Sequence, residues 1–250
     1  MDRLAFTAAS GITEKAVARQ LMTNELANVS TVGFKRSFDV ALKAIKVEGD
    51  GFDTRFEPQA MPTERVLMTP GTLMATGRKT DIAMNGGTVM GVQAPNGDTA
   101  FTRRGDLRPD ALGTLTNGAG HIAMGEGGPI VVPPGFDVHI TRDGGVYATD
   151  PLAAGPAAPV LVGQLMLRDA TGIPLNRRED GLFEQVTGPG DFEGGPNIAV
   201  TPETLEGSNV SAVEVMTRLI DHSRSFEANM KVIKEAKSID ESGASMMRAS

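Results

Sequence analysis

Gly118-Ala119-Gly120-His121-Ile122-Ala123 matches, letter for letter, the glycine fingerprint with which a strand-turn-helix unit grips a dinucleotide pyrophosphate. That chemistry needs a helix N-terminus directly behind the glycines, and here Gly125, Gly127, Gly128 and Pro129 follow. The run reads as a glycine-rich β turn. Gly71 to Thr80 imitates a phosphate loop, but five residues separate Gly71 from Gly77 and Arg78 intrudes before Lys79-Thr80, so its spacing fails. His121, His139 and His222 are scattered, with no close histidine pair and no local carboxylate at metal-ligand spacing. No Gly-x-Ser-x-Gly elbow offers a nucleophile. Asp106 with Asp110, and Glu179 with Asp180, stand beside glycines and read as solvated turns. Asn28-Val29-Ser30 and Asn209-Val210-Ser211 fit the glycosylation pattern, yet both lie where helices end or begin and read as caps. The expectation is a protein without catalytic, cofactor-binding or metal-binding residues: not an enzyme, and one with no small-molecule substrate.

Composition points the same way. The 250 residues are 40% hydrophobic and 22% charged, enough for one large or two modest cores. A formal net charge of −7 without any run of lysines lacks the clustered positive field of a nucleic-acid or anionic-membrane surface. Cysteine is absent, so disulfides, thiolate metal sites and a cysteine nucleophile are excluded together. The opening residues lack a basic start and an apolar run, and no apolar stretch approaches membrane-spanning length, so no direct membrane insertion is expected.

The elements that would position a functional surface follow from the helix breakers. All 15 prolines lie between Pro58 and Pro202, and of 30 glycines only Gly11, Gly33, Gly207 and Gly243 fall in the terminal segments. The chain thus divides into an N-terminal helix (1–36), an extended transition (37–78), a β-rich outer domain (79–204) and a C-terminal helix (205–250). Within the transition, Ser37 to Val47 could extend a helix through Phe38, Leu42 and Ile45. From Thr80 onward short apolar runs alternate with turns such as Asn85-Gly86, Asn96-Gly97 and Asp143-Gly144. Strands are expected over 81–84, 89–93, 100–103, 121–124, 130–132, 138–141 and 146–148, with Val160 to Leu167 as a buried strand. The fold class is α+β: terminal helices pairing as a coiled-coil-like domain, with an inserted, mostly antiparallel β domain, a sandwich or partly closed barrel.

In the C-terminal helix Ser208 is the expected cap, and Glu214 favours the positive end of the dipole. Ala212, Met216, Leu219, Phe226, Met230 and Ile233 then mark a seven-residue seam, with Ser223 and Lys237 imperfect. A second seam runs through Ala5, Ala8, Ile12, Ala16, Met22, Leu26 and Val29, broken by Arg19, before Gly33 stops the helix. If helical from Ser208 to Met247, the C-terminal rod is about 60 Å long, more than one small domain covers. An ordinary antiparallel helix pair inside a compact enzyme also fits the spacing.

Thr23-Asn24-Glu25-Leu26-Ala27-Asn28-Val29-Ser30-Thr31-Val32-Gly33-Phe34-Lys35-Arg36, with Leu205-Glu206-Gly207-Ser208-Asn209-Val210 and Arg224-Ser225-Phe226-Glu227-Ala228-Asn229, resembles the signature pair of the bacterial flagellar rod and hook proteins. Asp81-Ile82-Ala83-Met84-Asn85-Gly86 and Phe101-Thr102-Arg103-Arg104-Gly105 resemble the same family's middle motifs, so the likeness covers nearly the whole chain. The opening Met1-Asp2-Arg3-Leu4 and the length resemble its proximal-rod branch more than its distal-rod branch. Departures are Thr88-Val89-Met90, where relatives often carry paired phenylalanines, and Glu25 and Ser223, each in place of an amide.

The resemblance implies a structural subunit of the proximal rod that transmits torque in a basal body within the periplasmic space. Its partners would be neighbouring proximal- and distal-rod proteins and the flagellar type III export apparatus, which requires no cleaved signal. Leu26, Asn28, Gly33 and Phe34 at one end, and Leu219, Phe226, Met230 and Ile233 at the other, are the expected assembly residues. An uncovered apolar stripe costs about 25 cal/mol for each Å² exposed, so the ends are expected to order fully only against neighbours. A distal-rod or hook-type relative, or a soluble β-domain enzyme or sugar-binding module dimerising through its helices, are the alternatives.

Overall fold

A computed structural model describes residues 2–37, 41–46, 56–61, 65–153, 158–188, 190, 192, 195 and 198–248. The chain divides into two compact units. Unit 1 takes residues 1–27, 39–63 and 211–250; unit 2 takes residues 28–38 and 64–210.

In unit 1, α1 (Asp2–Ala27) and α2 (Ala212–Arg248) are accompanied by an antiparallel hairpin of β1 (Ala41–Lys46) and β2 (Phe56–Met61). The helix considered for Ser37 to Val47 is therefore a strand over 41–46. Six consecutive backbone positions find partners in β2, from Ala41↔Met61 to Lys46↔Phe56, and that pairing overrides the helix-favouring alanines and lysines. The cap of α2 also differs from expectation. Leu205 and Glu206 are in a strand, and Ser211 rather than Ser208 presents its hydroxyl to the first turn, accepting from the Glu214 amide at 3.4 Å. Ser208 Oγ instead accepts from Val210 N, closing a local turn one step earlier.

Unit 2 is built from β3 (Leu73–Ala75), β4 (Ile82–Met84), β5 (Thr88–Gln93), β6 (Thr99–Thr102), β7 (Leu107–Pro109), β8 (Leu115–Asn117), β9 (Ile122–Gly125) and β10 (Gly128–Pro129). The chain continues through β11 (Asp137–Ile140), β12 (Gly145–Thr149), β13 (Val160–Gln164), β14 (Leu167–Asp169), β15 (Leu175–Arg177), β16 (Phe183–Gln185), β17 (Val200–Pro202) and β18 (Thr204–Glu206). The largest sheet runs β15-β16-β6-β5-β9-β8-β7, with β10 against β9 and β14 against β5; β11-β12-β13 form a second sheet. Two ribbons, β17-β4 and β18-β3, bring the last strands of the unit back to its first. Every strand pairing among the described residues is antiparallel, which makes the chain α+β with a mostly antiparallel β portion.

Central strand β5 shows why the interior closes. Val89 joins a core with Val66, Phe101, Leu175 and Phe183, while Met90 and Val92 point into the other core with Ile82, Leu107, Leu115 and Leu165. Successive strand residues face opposite ways, so a strand buried on both faces carries apolar residues at odd and even positions alike. Phe192 lies on Phe101 with ring centroids 4.7 Å apart. The turn at Asn96-Gly97 behaves as read, with Gly97 at φ +90° and Ala94 N donating to Asp98 O at 2.8 Å.

Two strand assignments shift. Val131 makes only an isolated bridge to Thr114, the strand before it being Gly128–Pro129. The run from Val160 to Leu167 is broken into β13 and β14, and it starts in the open, Val160 being 62% and Leu161 55% exposed. An apolar run reports affinity for burial without saying how many of its residues find cover.

Candidate assembly site

The stretches that carried the resemblance in the first, middle and last thirds of the chain meet in unit 2 around one carboxylate. Glu206, ending β18, is 1% exposed. Its Oε1 accepts from Lys35 Nζ at 2.6 Å and from Gly71 N at 2.9 Å, and its Oε2 accepts from Arg103 Nε at 2.7 Å. Arg103, just after β6, uses its remaining donors on the carbonyls of the β4–β5 connection: Gly86 O at 2.6 Å, Thr88 O at 3.1 Å, and Met84 O. Lys35 also donates to Thr69 O at 2.7 Å.

Main chain completes the fastening. Gly33 N donates to Glu206 O at 2.7 Å, Asn209 N to Phe34 O at 3.2 Å, and Arg36 N to Asn209 Oδ1 at 2.7 Å. Gly33 has φ +69°, and a Cβ placed there would lie 2.4 Å from the Arg103 carbonyl oxygen. Glycine is thus required twice, by conformation and by close approach. Arg177 stacks its guanidinium 4.4 Å from the centre of the Phe34 ring and donates to Lys35 O.

Two buried cations share one buried anion. For Glu206, burial pushes the carboxyl up, but the Arg103 charge and the hydrogen bonds from Lys35 and Arg103 outweigh it and hold the group below its ordinary range. Burial pushes Lys35 down; the Glu206 hydrogen bond opposes this and the Arg103 charge adds to it, leaving the amine lowered. The cluster is closed to solvent and holds together segments far apart in sequence. It is a fastening, with no access for a substrate.

In unit 1, α1 and α2 run antiparallel, since Lys15 donates to Ser225 and Glu25 sits 3.5 Å from Arg218. The most covered positions of α2 are Val215, 1% exposed, and Ala236, 4%. Leu219, His222, Asn229 and Ile233 between them are half-buried. Among the described side chains of α1 the buried residues are Met22 and Glu25. A groove of about 850 Å³ lies along this unit, lined by Ala16, Arg19 and Thr23 of α1 and by Leu219, Ser223 and Phe226 of α2.

Of the eight residues singled out from sequence, Leu219 and Phe226 share the groove. Met230 is 37% exposed, Ile233 is half-buried, and Leu26 is half-buried near the end of α1. Gly33 and Phe34 belong to the fastening in unit 2 and not to the helices of unit 1. Asn28 closes the turn after α1, its Oδ1 accepting from Thr31 Oγ1 at 3.1 Å. Sequence reasoning missed Lys35, Arg103 and Glu206, although each stands in a motif it quoted. No local signal set them apart, since Lys35 stands beside Arg36 and Arg103 beside Arg104.

The dinucleotide-like run enters β9 after a turn closed by Gly120 N to Asn117 O, so no helix follows it. Burial holds His121 below its ordinary range; Asp180 opposes the shift and Arg104 adds to it. His139 stacks on Tyr147 in the other sheet, with ring centroids 5.3 Å apart.

Two family models match: the flagellar basal body rod FlgEFG protein C-terminal model over residues 201–246, and the flagellar hook protein FlgE/F/G D1 domain model over residues 83–148. The first covers β17, β18 and nearly all of α2; the second runs from β4 to β12 and includes Arg103. Similar proteins include the flagellar basal-body rod protein FlgF of Escherichia coli, 37% identical over 93% of both chains. FlgF of Salmonella typhimurium is 38% identical over 96% of this chain and 95% of its own. FlgG of Agrobacterium fabrum is 30% identical over 92% of this chain and 93% of its own. The same three motifs that close around Glu206 therefore lie within a chain-long likeness, and the chain belongs to the family of flagellar basal-body rod proteins.

Proposed function

We propose that the chain is a structural subunit of the flagellar rod, in its proximal part, which assembles through its terminal helices and carries torque along the rod. One observation carries this reading. Along α2, Val213, Met216 and Ile220 are 75%, 51% and 54% exposed, and Val232, Ile239 and Met246 continue the exposure to its far end. Apolar surface of this extent on a helix marks a contact not yet made.

The two helices act as a coiled-coil-like assembly domain, one side of α2 meeting α1 and the other meeting neighbours. Contacts between unlike surfaces of successive subunits do not close on themselves, and so generate a helical tube. The neighbours are other proximal- and distal-rod proteins, the site is the periplasmic span of the basal body, and the route there is the flagellar type III export apparatus. The 37–38% identity to FlgF proteins over nearly the whole chain supports the proximal placement. No described helix is long and apolar enough to cross a membrane.

The test is deletion of the gene in its host, scoring swimming, hook protein released into the medium, and basal bodies by electron microscopy. Inner rings without a completed rod, restored by the wild-type gene but not by one lacking residues 212–248, are expected. Normal flagella in the deletion strain, with no second copy of the gene, overturn the reading.

A further inference from the structure

The contact between α1 and α2 contains a feature that apolar packing does not need. Glu25 is 6% exposed and stands among the covered positions with Met22, Val215 and Ala236. A carboxylate in such a place is tolerated only with a counter-charge, and Arg218, whose side chain is 29% exposed, supplies it at 3.5 Å. Buried charge pairs stabilise less than apolar residues of the same volume, and their best-attested use in helix pairs is to fix which positions face each other.

The residues on either side of Arg218 make that use specific. Four positions before it stands Glu214 and three positions after it stands Asp221, the spacings that place all three on one face of a helix. Sliding α2 by one turn, about 5.4 Å, in either direction would bring one of these acids toward Glu25 in place of Arg218. Both slips set like charges together where Glu25 is buried. In one of them Lys15 would approach Asp221, but Lys15 is half-buried and Asp221 exposed, where an ion pair contributes little.

We infer that Glu25 and Arg218, with Glu214 and Asp221 guarding the flanking turns, form a register key that fixes the axial position of α2 against α1 in this chain. The apolar stripe at Val213, Met216 and Ile220 is then presented at one height only. This inference concerns the chain's own helix pair and does not depend on the rod reading.

The chain has no cysteine, so one introduced pair reports the register. Ala16 and Ser223 are exposed and line the same groove, and A16C/S223C in the purified full chain should be cross-linked within one molecule by a short bismaleimide. Adding R218E or E25R should slow that intramolecular reaction by about tenfold or more, the effect of like charges at a buried position. Combining E25R with R218E should weaken the block, although Glu214 and Asp221 then attract the new cation in slipped registers, so recovery should be partial until both are neutralised as E214Q and D221N. Replacing both key residues by leucine should keep helix content and melting temperature at or above the parent's while the cross-link spreads to cysteines placed one turn away, at Arg19 or Phe226. Unchanged cross-linking rates in R218E and E25R, or a leucine pair that still cross-links at one position only, would overturn the key. Because the assay is made in solution, absence of the protein from basal bodies would sink the rod assignment alone.

Discussion

Lys35 and Glu206, separated by 171 positions in sequence, are joined by a 2.6 Å ion pair in which neither side chain is more than 1% exposed. Arg103 reaches the other carboxylate oxygen at 2.7 Å, so one anion holds two cations. Removing the anion leaves two buried charges unbalanced, whereas removing Lys35 leaves a one-to-one pair. Glu206→Ala should therefore cost about 3–5 kcal/mol, and Lys35→Met about 1–3 kcal/mol, in urea unfolding of the full chain. Equal costs would contradict a cluster in which one anion balances two cations.

The same cluster sets a pH dependence. Glu206 and Asp106 both titrate below their ordinary values of 4.5 and 3.8, Glu206 through Arg103 and Lys35, Asp106 through Arg104, each against the opposing effect of burial. A carboxyl lowered on folding binds fewer protons in the folded chain than in the unfolded one, so its contribution is fully present above the unfolded value and is lost as pH falls through the folded one. Stability should fall as pH drops below about 4.5, and Glu206→Gln should flatten that acid limb. Lys35 is lowered from 10.5, so in the window just below that value rising pH shifts its proton balance towards the folded state. Thermal melts between pH 3 and pH 7 check the acid limb; an identical slope in Glu206→Gln contradicts the assignment.

Gly33 and Gly77 both have φ +69°, but a Cβ on Gly33 would meet the Arg103 main chain at 2.4 Å and one on Gly77 would meet nothing within 4 Å. Gly77→Ala should lose only the left-handed strain, about 1 kcal/mol. Gly33→Ala must in addition push apart the segments tied to Glu206, and should cost about 3 kcal/mol or more. Denaturant midpoints of the two variants measured side by side give the difference directly.

Much of this architecture is legible in the sequence, for reasons that also mark where legibility ends. Proline and glycine act on the chain locally, so their confinement to the middle foretold two long terminal helices and a strand-rich interior. The register of α2 was less accessible. Val215 and Ala236 are the covered positions, while Met216 and Met230, which are larger, are exposed. Two apolar stripes overlap on this helix, sharing Leu219, Phe226 and Ile233, and periodicity cannot tell which of them meets α1. The Glu206 cluster was hidden for a different reason. Its members lie at positions 35, 103 and 206, and nothing local to any of them reveals that a counter-charge waits in another third of the chain. A β domain drawn to end at 204 would omit Glu206 and leave Arg103 buried alone. A fragment of residues 79–204 should accordingly melt well below one of 64–210 joined to 28–38.

Exposed and covered positions of α2 should separate assembly from folding. Ile220 is 54% exposed, so Ile220→Ser should change the stability of the purified chain by no more than about 0.5 kcal/mol. Phe226 is 38% exposed and lines the groove; if a neighbouring helix covers its ring in the rod, Phe226→Ala should cost about 3–5 kcal/mol there and far less in the free subunit. Both variants should be secreted and folded yet recovered poorly in purified basal bodies, with swimming reduced. Val215→Ala, at a position 1% exposed within the subunit itself, should show the opposite balance, lowering stability of the purified chain in proportion to the lost methyl groups. Normal basal-body incorporation of Ile220→Ser and Phe226→Ala together would mean that this face of α2 is not where neighbours bind.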